Sequence, residues 1–419
     1  MKFTWFNLMP WPHLPEDFRQ KHRSVWVDID SRLFDAEKSH EVYNTYMDLL
    51  EYAGTVGFDA IGVNEHHQNA YGIMPSPNII AAGLARRTKD VGLVVLGNSI
   101  ALYNPPVRVA EEFAMLDCIS GGRLIAGFPV GTSMDTNYCY GQIPALTRDK
   151  YAEAHELIMK AWAEKEPFAF DGKYNQLRYV NCWPKPVQLP HPPIYIPGGG
   201  SIETWHWCAE MDYVYCYLSY YGYKIGKATM DGFWGEMDRL GKDRIPYRAG
   251  FLQFVGVGES RQHAMDLYAE SAEYFYGNCL HIDPRFAAPP GYTTEATQRK
   301  GLESQVVKAA AYDQKFNPLA REMDAIVDNG YVIIGSPDEV VEQLREVAVN
   351  LNVGNLMMLL QFGNMSKELA KYNTKLFAEQ VKPKLDPLFA EWEHRWWPKP
   401  MDTSLRADVP AFTPHLAAE

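Results

Sequence analysis

Short apolar runs alternate with amphipathic stretches along nearly the whole chain. Eight runs predict strands: Phe3–Met9, Phe58–Val63, Val91–Gly97, Leu124–Phe128, Pro193–Pro197, Tyr213–Leu218, Ala249–Val257 and Asn355–Gln361. Val91–Gly97 is apolar almost throughout, as expected of a parallel strand covered on both faces. Between the runs the spacing turns helical. Tyr46, Leu49, Leu50 and Ala53 share one face, as do Val109, Phe113 and Leu116, and then Tyr151, His155, Ile158 and Trp162. Eight units of strand and helix favour an α/β fold of the closed (β/α)₈ TIM-barrel kind over an open doubly wound sheet.

Two stretches interrupt this rhythm. Phe168–Pro190 predicts a hairpin and a proline-rich return, an insertion over about residues 165–190 ahead of strand five. Residues 259–330 are too long for a single connection and predict an excursion over one barrel end, the largest insertion, between strands seven and eight. One barrel domain is expected over 1–385, with 386–419 as an arm packed on the barrel or on a partner subunit. One helix start is explicit: in Gly335-Ser336-Pro337-Asp338-Glu339, Ser336 caps, Pro337 enters the first turn and Glu339 completes a capping box. Val340, Leu344, Val347 and Leu351 then face the barrel.

Charge narrows the partners. The 419 residues carry a formal net charge of −12, spread along the chain, which argues against nucleic acid. No run approaches twenty apolar residues, so no membrane span is expected, and the proline-broken amino terminus is no secretory signal. The six cysteines form no CxxC pair and no zinc spacing. A cytoplasmic protein with reduced thiols and no metal is the expectation.

Chemistry is expected at the carboxyl ends of the strands, where polar residues of a TIM barrel line the active site. Asn64-Glu65-His66-His67 closes strand two, and an imidazole there can move a proton near neutral pH. The competing reading is a core histidine held by Glu65, and it weighs more for His67 than for His66. Gly198-Gly199-Gly200-Ser201-Ile202-Glu203-Thr204 follows strand five and opens a helix. Its glycines admit close backbone approach, its free amides attract an anion, and Ser201 and Thr204 add hydroxyl donors. A glycine turn capped by Ser201 would look the same. Asn98-Ser99-Ile100 follows strand three. Several aromatics stand near strand ends (Trp5, Tyr71, Tyr103, Tyr138, Tyr140, Tyr217, Tyr220, Tyr221) and could shape an apolar pocket. No GxGxxG follows a strand, since Gly256-Val257-Gly258 lacks the third glycine, so no dinucleotide-binding domain is evident.

The order of these motifs resembles the luciferase-like flavin-dependent monooxygenases. Gly57–His67 is similar to that family's second strand and Glu-His-His end, Pro106–Glu112 to its third helix start, and Leu116–Leu124 to the signature leading into strand four. Pro192–Ile196 and Gly335–Val340 follow in the same order, so the likeness runs from about residue 2 to about residue 385. The resemblance implies a TIM barrel that takes reduced, diffusible FMN from a separate NAD(P)H:flavin reductase; FAD or F420 is less favoured. With O2 it would oxygenate a small hydrophobic substrate, by hydroxylation or Baeyer–Villiger attack. His66 would be the active-site histidine, and Asn98 and Ser99 would meet the flavin ring's pyrimidine edge near a non-proline cis peptide. Gly200, Ser201, Thr204 and Tyr151 would hold the phosphate. Where luciferase has a phosphate-binding arginine after strand four, Val130 stands here, and either Arg148 replaces it or hydroxyls and amides suffice. A homodimer is the expected assembly. An F420-dependent hydride-transfer enzyme and a non-catalytic flavin-binding barrel are the alternatives.

Overall fold

The computed structural model describes residues 1–131, 134–218, 220–287, 291–303 and 322–407, so part of the 259–330 stretch and the tail after 407 lie outside the described residues. Eleven strands follow in chain order: β1 Lys2–Phe6, β2 Ala60–Val63, β3 Gly92–Val95, β4 Leu124–Gly127, β5 Phe168–Asp171, β6 Gln176–Val180, β7 Ile194–Gly198, β8 Val214–Tyr217, β9 Ala249–Val257, β10 Val332–Gly335 and β11 Asn355–Leu359. Eight of them, β1-β2-β3-β4-β7-β8-β9-β11, pair in parallel, and β11 returns to β1 through Lys2↔Asn355. The ring is closed: a TIM barrel. Its members are the eight runs named from periodicity, and β2, β3, β4, β9 and β11 are buried at every residue, which is why they read as unbroken apolar segments. The chain between β4 and β7 carries the antiparallel β5–β6 hairpin.

Strand β10 was not anticipated. It is four residues long and pairs with the far end of β9, from Val332↔Phe254 to Gly335↔Val257. A run so short, directly ahead of a strong helix start, carries too little periodicity to stand out. That helix, Pro337–Leu351, has the full capping box, and Val340, Leu344, Val347 and Leu351 are buried.

Ser120-Gly121-Gly122-Arg123 is architecture. Helix Val107–Ser120 ends at Gly121 in the left-handed region, with φ of 66°, where glycine avoids a Cβ clash. The turn then delivers Arg123 into the protein, where its guanidinium donates to the carbonyls of Ala85, Thr88, Val91 and Ser120 and to Thr88 Oγ1. Burial draws its pKa down to about 10, and this set of acceptors replaces the water it has lost.

The chain after helix Lys382–Leu385 crosses the amino-terminal end of the barrel. His394 stacks on Tyr247 just before β9, with centroids 4.3 Å apart, and bonds Asn355 Oδ1 at the start of β11. Trp396 Nε1 donates to Asp212 O before β8, Lys399 N to Gln188 Oε1 before β7, and Met401 N to Gly121 O before β4. All six cysteines are unpaired, and among the described residues no helix is long and apolar enough to cross a membrane.

Candidate active site

Because the barrel strands are parallel, the segments following β2, β3, β4 and β7 emerge at one end. His66 follows β2 with its ring almost buried, and its Nδ1 lies 3.0 Å from Oδ2 of Asp135. Asp135 is fully buried in the short helix Met134–Cys139 after β4. The same carboxylate oxygen accepts from Asn69 Nδ2 at 2.9 Å and from the His67 amide at 3.4 Å. An acceptor on Nδ1 fixes the proton there and leaves Nε2 as the nitrogen available for chemistry. Tyr71 meets the imidazole edge-on, with centroids 4.6 Å apart.

Glu65 serves a different purpose. Its Oε1 takes His67 Nε2 at 2.6 Å and the Tyr103 hydroxyl at 3.3 Å, and its Oε2 takes the Ser99 amide at 2.9 Å. Of the adjacent histidines, His67 is therefore the one Glu65 locks into the wall, and His66 is held from outside the motif. Nothing in the sequence reading pointed to Asp135. The signal available was its place shortly after a barrel strand, where an acidic residue lies within reach of neighbouring loops.

Beyond β3 the chain makes a cis peptide between Leu96 and Gly97, two residues earlier than the Asn98 loop suggested. A Cβ on Gly97 would fall 2.0 Å from Gly127 O, so the ends of β3 and β4 come together here as only glycine permits. Ser99 reaches Glu65 through its amide. Asn98 donates from Nδ2 to Tyr103 Oη at 3.1 Å, while its Oδ1 is buried with no partner among the described residues. The same holds for Asn64 Oδ1 at the end of β2. Buried carbonyl oxygens usually have partners, so two orphans at one barrel end mark a place for a ligand.

The cradle after β7 is a network. Arg148 Nη2 donates to Ser201 Oγ at 2.8 Å, and Ser201 Oγ donates to Glu203 Oε2 at 2.7 Å. Thr294 and Thr297, from the long insertion, donate to the two oxygens of the same carboxylate. Burial works to raise the pKa of Glu203, but the hydroxyls of Thr294, Ser201 and Thr297 outweigh it and hold the carboxyl at about 2. The Arg148 guanidinium lies 4.7 Å from the centroid of Tyr292, and its Nε has no partner among the described residues. A side chain at Gly199 would meet only open space, and Thr204 is buried beside Gly198. Gly200, Ser201, Thr204 and Arg148 thus gather at one place. Tyr151 does not join them: its hydroxyl donates to Phe128 O at 2.9 Å inside the core. Among the aromatics named from sequence, Tyr71 and Tyr103 stand at the site, Trp5 is a core residue bonded to Thr374, and Tyr138 is exposed.

The family model described as luciferase-like monooxygenase matches residues 26–353. The oxygenase component of flavin-dependent trigonelline monooxygenase from Acinetobacter baylyi is 30% identical over 175 residues, 41% of this chain and 48% of that protein, so the match spans about half of that relative's length. An F420-dependent glucose-6-phosphate dehydrogenase from Intrasporangium calvum is 27% identical over 326 residues, 73% of this chain and 85% of its own. Among solved structures, the oxygenating constituent of 3,6-diketocamphane monooxygenase from Pseudomonas putida, in complex with FMN, superposes with a TM-score of 0.68 at 18% identity, covering 92% of this chain and 98% of that one. The barrel, its motifs in order and a family match over most of the length agree: this chain belongs to the luciferase-like monooxygenase family.

Proposed function

We propose that this chain is the oxygenase of a two-component monooxygenase, taking reduced FMN from a separate NAD(P)H:flavin reductase and oxygenating a small, mostly apolar organic compound. The observation that carries this reading is the arrival of the His66–Asp135 pair and the Ser201–Arg148 cradle at the same end of one closed barrel.

The residues present suit a flavin mononucleotide. The cradle offers a phosphate the Arg148 guanidinium, whose Nε is unpartnered among the described residues, and the Ser201 hydroxyl once it turns from Glu203, and Asn98 Oδ1 is a buried acceptor lacking the N–H that a flavin ring would bring. When bound, reduced FMN supplies the two electrons with which O2 gives one atom to the substrate and the other to water. The protein does the rest. Arg148 and Ser201 anchor the phosphate, Asn98 orients the ring, and His66, fixed through Nδ1, gives or takes a proton at Nε2. Tyr71 and Trp26 pack against the imidazole and hold the orientation of its ring.

The F420-dependent relative supports a second reading, in which the same barrel moves a hydride and ignores oxygen. Supplying reduced FMN and reduced F420 in turn, with a panel of candidate substrates, separates the two. The monooxygenase reading expects substrate-dependent O2 uptake with FMN alone, abolished by His66→Ala. Hydride transfer from F420 without O2 uptake would replace it. Tight flavin binding with turnover untouched by His66→Ala would leave a non-catalytic barrel.

A further inference from the structure

The insertion between β9 and β10 reaches over the cradle. Its Tyr292 lies against the Arg148 guanidinium, and its Thr294 and Thr297 meet the start of helix Ile202–Met211. Thr297 Oγ1 accepts the Ile202 amide at 3.4 Å and donates to Glu203 Oε2 at 2.7 Å. Ser201 Oγ donates to the same oxygen, also at 2.7 Å, and Arg148 Nη2 stands 2.8 Å behind that hydroxyl. One anionic oxygen is therefore held by two hydroxyls at the amino end of a ten-residue helix, beside a guanidinium. That is the donor set of a phosphate site, filled by the chain's own carboxylate. Thr294 stands outside the set, because its hydroxyl donates to Oε1 instead.

We infer that Thr297 is a phosphate ligand: as the cofactor enters, Ser201 and Thr297 turn the two protons now held on Glu203 Oε2 to oxygens of its phosphate, while Glu203 stays on Thr294 through Oε1. Two hydroxyls that share one acceptor atom lie close enough together to serve neighbouring oxygens of one phosphate. The exchange favours the phosphate, which carries nearly two charges against the carboxylate's one. The site then has walls from three separate stretches of chain. Arg148 comes from helix Thr147–Ala163, Ser201 from the start of helix Ile202–Met211, and Thr297 from helix Glu295–Glu303 of the insertion. The insertion is thereby bonded to the cofactor itself, and a flavin without a phosphate leaves it on Glu203.

The inference rests on the reading of the cradle as a phosphate site, so its test measures binding and leaves the reaction aside. It is made on the full chain carrying Glu203→Gln, in which Thr297 has a neutral partner before the ligand arrives. FMN and riboflavin are titrated by flavin fluorescence quenching, and inorganic phosphate by phosphorus NMR line broadening. Adding Thr297→Val is expected to weaken FMN binding about tenfold, the difference between a hydrogen bond to a charged acceptor and one to a neutral acceptor, with riboflavin within about twofold. Thr297→Ser, which keeps the hydroxyl, restores FMN binding, and Thr294→Val leaves the ratio of FMN to riboflavin affinity unchanged. FMN binding unmoved by Thr297→Val, an equal loss for riboflavin, or the same FMN-specific loss from Thr294→Val overturns the assignment. Should neither flavin bind, phosphate broadening that Thr297→Val removes upholds Thr297 while the flavin reading falls. Broadening that survives Thr297→Val, or none at all, then overturns both.

Discussion

Glu203 places a full negative charge where the proposed function needs to receive another. With its carboxyl held at about 2, it is ionised at every pH at which the protein would be assayed. Its Oε2 accepts the Ser201 hydroxyl at 2.7 Å, and a phosphate oxygen that took this proton in its place would lie one hydrogen bond beyond Ser201 Oγ, about 5 Å from the carboxylate. At an effective dielectric of about 40, suited to a half-exposed site, the repulsion is about 1.7 kcal/mol per unit charge and about 3 kcal/mol for a phosphate of nearly two charges. Screening by salt and by Arg148 leaves about half of that. Glu203→Gln is therefore expected to tighten FMN binding about tenfold, since the amide loses the charge, keeps one acceptor oxygen and puts an N–H2 that can donate to a threonine hydroxyl in place of the other. Flavin fluorescence quenching measures it, with riboflavin as the control that lacks the phosphate. The gain should appear for FMN alone and shrink in high salt. An equal gain for riboflavin would show that loosening of the strap, not charge, was at work. Unchanged or weaker FMN binding would refute the argument and make Glu203 a support of the cradle instead of a competitor for it.

Asp135→Asn removes the charge that anchors His66 Nδ1, and substrate-dependent O2 uptake should fall about a hundredfold with a smaller change in KM; a loss confined to KM would contradict the role given to the pair. His155 and His394 are pressed by burial to about 4 and about 3, from 6.5. The unfolded chain therefore binds more protons than the folded one below pH 6.5, so both contribute stability that is complete above that value and is lost as the pH falls toward 4. Calorimetric Tm measured from pH 7 to 4 should drop less steeply in the variant carrying His155→Gln and His394→Gln, and an unchanged slope would assign the acid loss to carboxylates. Trp396→Ala empties a buried site capped by the Arg248 and Arg395 guanidinium groups, at a cost of about 3–5 kcal/mol. Tm should fall while FMN affinity holds, because Trp396 packs at the opposite barrel end; a parallel loss of affinity would mean that the two ends are coupled.

The barrel was legible because a parallel strand covered on both faces has nowhere to place a polar residue, so each strand stands out between amphipathic helices. β10 escaped because four residues hold too little pattern, and its pairing is defined only by how far β9 extends. The cradle was visible in Gly199, Gly200 and Ser201, whose local chemistry says anion, and His66 was visible from its place at the end of β2. Their partners were not. Asp135 reaches His66 across the gap between two loops, and Thr294 and Thr297 reach Glu203 from an insertion far along the chain; such pairings are made by the closure of the ring and leave no spacing to read. Tyr151 shows the converse difficulty, for a tyrosine at that helical position serves the core as readily as a ligand, and here its hydroxyl is spent on Phe128.

Strand β9 keeps three neighbours along its nine residues: β8 through Ala249–Phe251, β11 through Gly250–Phe254 and β10 through Phe254–Val257. The seam that turns a curved sheet into a cylinder and the parapet above it are thus one uninterrupted piece of backbone. Any rocking of the upper wall would tug at the joint below, so slow amide exchange should extend along the whole of β9, and a bulge introduced near Val255 would break Ile333↔Val255 first and then loosen the strand toward Tyr215↔Ala249.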